Sequence, residues 1–150
     1  MLTRDTCPAV MVVDDHAALR RLVVRYLRSD GIEAFHVGTA APALSIARQH
    51  AGLVQLAIID MNLPDMNGFD LAAALGREYP ALKFLYISGY VDSMAMQGAA
   101  RVSPHVVLFK PFTGRALLDK VHMLLDIPQK LGPARAGQEC ASSSRTGTRG

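Results

Sequence analysis

Residues 56–71 read LAIIDMNLPDMNGFDL, and this stretch decides the fold. Four apolar residues run straight into a carboxylate at Asp60, with the length and continuity of a β-strand covered on both faces. Leu63-Pro64-Asp65 then supplies turn chemistry, and Gly68 is expected to give the backbone freedom needed where loop becomes helix, without contacting a ligand. From about Phe69 to Tyr79 the pattern is helical, and Pro80 stops it. A buried strand followed by a helix is half of a βα repeat.

Moving outward, the same alternation recurs on both sides. The other strand-length runs are AVMVV (9–13), IEAFHV (32–37), KFLYIS (83–88) and HVVLF (105–109). The run at 32–37 alternates apolar with polar residues and is expected at an edge of the sheet. Between the first two runs, Leu19, Leu22, Val23, Tyr26 and Leu27 repeat with helical spacing, while Arg20, Arg21, Arg25 and Arg28 fall elsewhere and read as a solvated face. A second helix is predicted at about 40–50, with Thr39 as N-cap and Pro42 tolerated in the first turn. A short fourth helix is predicted near 93–100, and a fifth at 113–126 with Leu117, Val121, Leu124 and Leu125 as its buried stripe. Strands alternating with helices imply an α/β, doubly wound parallel sheet of five strands with helices on both faces.

Composition bounds what such a chain does. Its 150 residues, 50% hydrophobic and 19% charged, suit one packed domain. Lys130, Arg135, Arg145 and Arg149 against Glu139 carry the whole net charge of +3, leaving residues 1–127 balanced at 12 basic and 12 acidic side chains. The electrostatic footprint of a nucleic-acid binder is therefore missing from the folded part, and direct DNA binding is not expected. No apolar run approaches the roughly 18 to 20 residues of a membrane span, and residues 1–10 do not read as a signal peptide, so the cytoplasm is the expected compartment. Cys7 and Cys140 sit near opposite ends, where a structural disulfide is not expected. Residues 1–7 are read as a flexible N-terminus, 8–127 as the domain, and 128–150, rich in Gly, Pro, Ser, Ala and Arg, as a disordered basic tail with no output domain after it.

A parallel doubly wound sheet collects the carboxyl ends of its strands along one edge, where ligands bind at the switch point. Here the first strand ends in Asp14-Asp15, the third in Asp60, the fourth in Ser88 and the fifth in Lys110. Any one of these has a bland reading: an acidic pair favours helix N-termini, Ser-Gly is a common loop pair, and a lysine at a strand end is usually a solvated charge. Together they describe a pocket. Converging carboxylates raise one another's pKa and call for a hard divalent cation with oxygen ligands, Mg²⁺ being the obvious one. A carboxylate in such a pocket can attack phosphorus, while metal and ammonium neutralise the phosphoryl oxygens and a hydroxyl donates to one of them. The five histidines, His16, His36, His50, His105 and His122, show no metal-ligand spacing and are expected at surface or helix-flank positions, with His16 near enough to the acidic pair to tune it.

With MVVDD (11–15), IIDMNLPDMNGFDL (58–71), LYISGY (85–90) and FKPF (109–112) in place, the chain resembles the response-regulator receiver family across about residues 8–127. The spaced set D-x-x-L-P-D-x-x-G, S-G and K-P-F carries most of the specificity, and the SGY and KPFT wording looks most like receivers attached to hybrid sensor kinases and their single-domain relatives. The resemblance implies a flavodoxin-like sheet of order 2-1-3-4-5. It implies Asp60 as phosphoacceptor, Asp15 and Asp60 as Mg²⁺ ligands with Asp14 in support through water, and the Asn62 carbonyl as a further ligand. Ser88 would be the switch hydroxyl and Lys110 the phosphate-binding cation, followed by a cis bond before Pro111. It also implies a histidine kinase or histidine phosphotransfer protein as donor, docking on the first helix, and a downstream protein target. A homodimer through the last two helices stays open. One departure stands out: family members commonly place Tyr or Phe three residues before the lysine, and here that residue is Val107. Two other functions are weighed. A haloacid dehalogenase-like phosphohydrolase uses similar residues, but its nucleophile lies on the first strand in a D-x-D pattern. A non-phosphorylated binding module would keep the fold alone, and the complete residue set argues against it.

Overall fold

The computed structural model describes residues 8–89 and 107–126. Five strands, β1 (Ala9–Val13), β2 (Glu33–Val37), β3 (Val54–Asp60), β4 (Lys83–Ser88) and β5 (Val107–Phe109), alternate with α1 (Ala17–Ser29), α2 (Ala40–Gln49), α3 (Gly68–Glu78) and α4 (Gly114–Leu125). All pairings are parallel and the order is β2-β1-β3-β4-β5, so β2 lies at an edge and the topology is flavodoxin-like. The helix predicted near 93–100 and both cysteines lie outside the described residues.

Strand periodicity divides the core. Val10, Val12, Leu56, Ile58, Leu85 and Ile87 face one side and pack with Val23 and Leu27 of α1 and Leu117 and Val121 of α4. Their neighbours Met11, Val13, Ala57 and Ile59 face the other, against Ala40, Ala43 and Ala47 of α2 and Leu71 and Leu75 of α3. Side chains of a strand alternate faces, so a strand covered on both sides must be apolar throughout. The alanines of α2 let that helix lie close to the sheet.

Local chemistry differs from the sequence reading at four places. Thr39 occupies the N-cap of α2 but makes no side-chain cap bond. Instead Asp65, read as turn chemistry, reaches across from the loop after β3 and accepts from the Ala40 and Ala41 amides at 2.9 and 3.1 Å. Those bonds hold its carboxyl below the usual range. Helix α3 starts one residue earlier than predicted because Asn67 Oδ1 accepts from the Phe69 amide at 2.7 Å. Two arginines of α1 are tied down rather than merely solvated: Arg20 donates to the Asp14 carbonyl at 2.8 Å and Arg28 to the Ala34 carbonyl at 3.0 Å.

His122 is the fourth. Expected at a surface or helix flank, it is buried on α4, with Nε2 at 2.6 Å from Asp30 Oδ2 in the turn after α1. It adjoins Val121 on the inward side of the helix, and a buried polar ring is tolerated because a carboxylate meets it. The chain turns there through Gly31 at φ 80, a left-handed conformation that glycine adopts without a Cβ clash.

Candidate functional site

Register sets the site. Val13 pairs with Ile59 and Asp60 with Ile87, so the residues after β1, at the end of β3 and at the end of β4 arrive at one rim. Ser88 pairs with Phe109, which brings Lys110 to the same edge, and the Lys110 amide donates to the Ser88 carbonyl at 2.9 Å. The Lys110–Pro111 peptide bond is cis.

Asp60 and Asp14 are both buried. Lys110 Nζ stands 3.8 Å from Asp60 Oδ2, and the Asn62 amide donates to Asp60 Oδ1 at 3.2 Å. The exposed side chain of Asp15 lies on the open side. Ligand atoms of Asp14, Asp15, His16 and Asp60 all fall within 4.8 Å of one another. Ser88 is fully buried, and its hydroxyl donates to the Gly89 carbonyl at 3.2 Å.

Electrostatics follow from that crowding. Burial is the largest influence on Asp60 and the nearby Asp14 charge the next; against the Asn62 amide and Lys110 they raise its pKa from 3.8 to about 6. A single ammonium does not balance three acids. Asp14 Oδ1 accepts from the His16 amide at 2.9 Å, whereas Oδ2 is buried with no hydrogen-bond partner among the described residues. A buried carboxylate oxygen left without a donor, beside two further carboxylates, fits a small hard cation.

Gly68 serves the site in a way other than expected. A Cβ there would meet the Asp60 carbonyl oxygen at 2.7 Å, Met61 Cα at 3.0 Å and Ile59 Cγ2 at 3.1 Å, so glycine is required by close approach of the helix start to the end of β3. Asp65 and His16 are the residues the sequence reading undervalued. The first carried a signal in the Asp-x-x-Gly loop; for the second, adjacency to the acid pair was the only one.

Val107 is buried against Tyr86, and Tyr86 meets Phe69 edge-on with ring centroids 4.9 Å apart. The position three residues before Lys110 is thus an aliphatic part of the α2/α3-side core. Tyr90 lies outside the described residues.

A parallel α/β sheet with an acid-lined pocket at its switch point belongs to the class of doubly wound folds that bind ligands at the carboxyl ends of their strands. The chain belongs to the response regulator receiver domain family, whose model matches residues 10–122. It is 35% identical over 121 residues to the response regulator protein FleR of Pseudomonas aeruginosa, covering 79% of this chain and 25% of FleR. It is 29% identical over 117 residues to the sensor kinase CckA of Brucella abortus, covering 78% of this chain and 12% of CckA. The chain therefore spans a minor part of these relatives. Among solved structures, a CheY-like receiver domain from Methanospirillum hungatei is 27% identical with a TM-score of 0.67, over 81% of this chain and 95% of that one. The chain is accordingly a receiver domain of two-component signalling, a class of signalling domains rather than turnover enzymes. Receiver domains typically bind Mg²⁺ at an acidic pocket, and this chain has such a cluster. Among the described residues no helix is long and apolar enough to cross a membrane.

Proposed function

We propose that the chain is a phosphorylation switch in which Asp60 accepts a phosphoryl group from a phosphohistidine of a histidine kinase or histidine phosphotransfer protein. One observation carries the reading: Asp60, buried and raised to about 6, is met by Lys110 on one side and by Asp14 and Asp15 on the other. An Asp60 oxygen attacks phosphorus, the bond to the histidine nitrogen breaks, and the electron pair leaves with the imidazole. The residues that would hold Mg²⁺ are Asp15 and Asp60, with the Asn62 carbonyl and with Asp14 acting through water; the ion supplies neutralisation of charge on the phosphoryl oxygens. Lys110 contributes a second positive charge. Ser88, at the end of β4, donates its hydroxyl to a phosphoryl oxygen once it leaves the Gly89 carbonyl.

Output then passes to another protein. A phosphoryl group adds roughly −1.5 to −2 charge to the pocket, enough to bias a two-state surface. With Val107 in the core, that bias is read through Ser88 and the chain beyond it without the usual aromatic reporter. On the donor side, an open groove of about 620 Å³ along α1, bordered by Arg21, Leu22, Arg25 and Arg28, supports docking of a partner there. We assign residues 8–127 to the receiver unit.

The test is labelling by a small-molecule phosphodonor, with and without Mg²⁺. Wild-type protein should take up phosphoryl label only with the cation, and Asp60→Asn should take up none. Equal labelling of Asp60→Asn would remove Asp60 from its role.

A further inference from the structure

Three carboxylates are not the whole cluster. His16 follows the acidic pair, and its Nδ1 lies 3.5 Å from Asp14 Oδ1 and 3.6 Å from Asp15 Oδ1. Around one octahedral ion with bonds of about 2.1 Å, neighbouring ligand atoms are about 3 Å apart and opposite ones about 4.2 Å. The imidazole nitrogen therefore lies between those two spacings from both acids, and the whole set spans up to 4.8 Å, so a contraction of about half an ångström would bring its atoms around one ion.

Two further observations point to an ion. Asp14 Oδ1 is the oxygen near the ring, while Asp14 Oδ2 is buried without a hydrogen-bond partner among the described residues, and His16 has no side-chain cap bond to α1 although it occupies the N-cap with extended backbone, φ −85 and ψ 102. Its side chain is 67% exposed, so it is open to an ion arriving from solvent and has no competing structural task at the helix start. The Arg20 guanidinium, by donating to the Asp14 carbonyl at 2.8 Å, anchors the peptide that joins the two acids.

We infer that His16 is a nitrogen ligand to the divalent cation of this pocket, which gives the site a preference for borderline first-row ions such as Ni²⁺ over Mg²⁺. This rests on the reading of the pocket as a cation site. Oxygen-only sites suit Mg²⁺, whereas one imidazole among carboxylates shifts affinity toward ions that accept nitrogen, in the Irving–Williams order. A histidine acting merely as a counter-ion to the acids has the opposite sign, because removing it would leave more negative charge and tighten every cation.

Isothermal titration calorimetry on the untagged full chain, with MgCl₂ and with NiCl₂, distinguishes these. In wild type, Mg²⁺ and Ni²⁺ are expected to compete for one site with Ni²⁺ bound more tightly. In His16→Phe, Ni²⁺ affinity should fall by on the order of tenfold or more while Mg²⁺ affinity stays within about twofold. His16→Asn, which adds a favourable N-cap, is expected to show the same loss and guards against a folding defect in the first variant. An unchanged Ni²⁺ to Mg²⁺ ratio, tightening of both ions, or Mg²⁺ binding that persists after saturation with Ni²⁺ overturns the inference while leaving the Mg²⁺ pocket standing. Failure of wild type to bind either ion overturns both.

Discussion

Asp60 pays a cost in the folded chain that has a measurable consequence before any phosphoryl group arrives. In the unfolded chain its carboxyl loses a proton near 3.8, whereas in the folded pocket it holds one until about 6. Between those values the native state binds more protons than the unfolded state, so stability of the metal-free protein falls as pH rises from about 4 to about 6. Removing the charge should recover the loss. Asp60→Asn is expected to stabilise the metal-free protein at pH 7 by about 1–3 kcal/mol and to flatten this part of the pH profile, as read by urea denaturation. An Asn variant less stable than wild type at pH 7, or a wild-type profile that rises through that window, contradicts the crowding of charge at this residue. At the same scale lies the limit of what the sequence disclosed: strand-end residues Asp14, Asp60 and Ser88 were legible because each terminates an apolar run, yet the bond from Asp65 to the start of α2 spans two loops that no local pattern connects.

Elements carry the next level. The junction of β3 with α3 is held by the Gly68 amide donating to the Met61 carbonyl at 3.0 Å and by Asn67 capping the helix. Because the atoms facing a Cβ at Gly68 include main-chain atoms of residues 60 and 61, they cannot rotate away. Gly68→Ala is therefore expected to cost about 1–3 kcal/mol in thermal or urea unfolding and to reduce phosphoryl uptake by shifting Asp60. Unchanged stability with unchanged uptake would show that the helix start yields without strain. The strands themselves were legible, since four are nearly continuous in apolar side chains and β2 alternates as an edge strand does, although β3 starts at Val54, two residues before the apolar run, and residues 105–106 of the run at 105–109 lie outside the described residues. His122 was not, because its inward placement depends on Asp30, 92 residues away, and helical spacing alone puts it beside the apolar stripe rather than in it.

For the whole molecule, the parallel sheet makes a single pocket from residues scattered between positions 14 and 110. The order β2-β1-β3-β4-β5 puts the Asp14-Asp15 end of β1 directly beside β3, and β4 and β5 deliver Ser88 and Lys110 from the other side. Fold class could be read from the alternation of strand and helix; the individual spacings inside the pocket could not, because they depend on how four strand ends align across the sheet. The part of the chain between Gly89 and Val107, and with it the predicted fourth helix, lies outside the described residues. The central claim is that this assembled rim makes one particular carboxylate the phosphoacceptor. Its most direct test is reductive trapping: treat the Mg²⁺-loaded, phosphodonor-exposed chain with borohydride, which converts an aspartyl phosphate to homoserine, and map the peptides. Homoserine at residue 60 alone is the expected result; homoserine at residue 14 or 15 instead, or unmodified aspartate at all three after complete exposure, would contradict it.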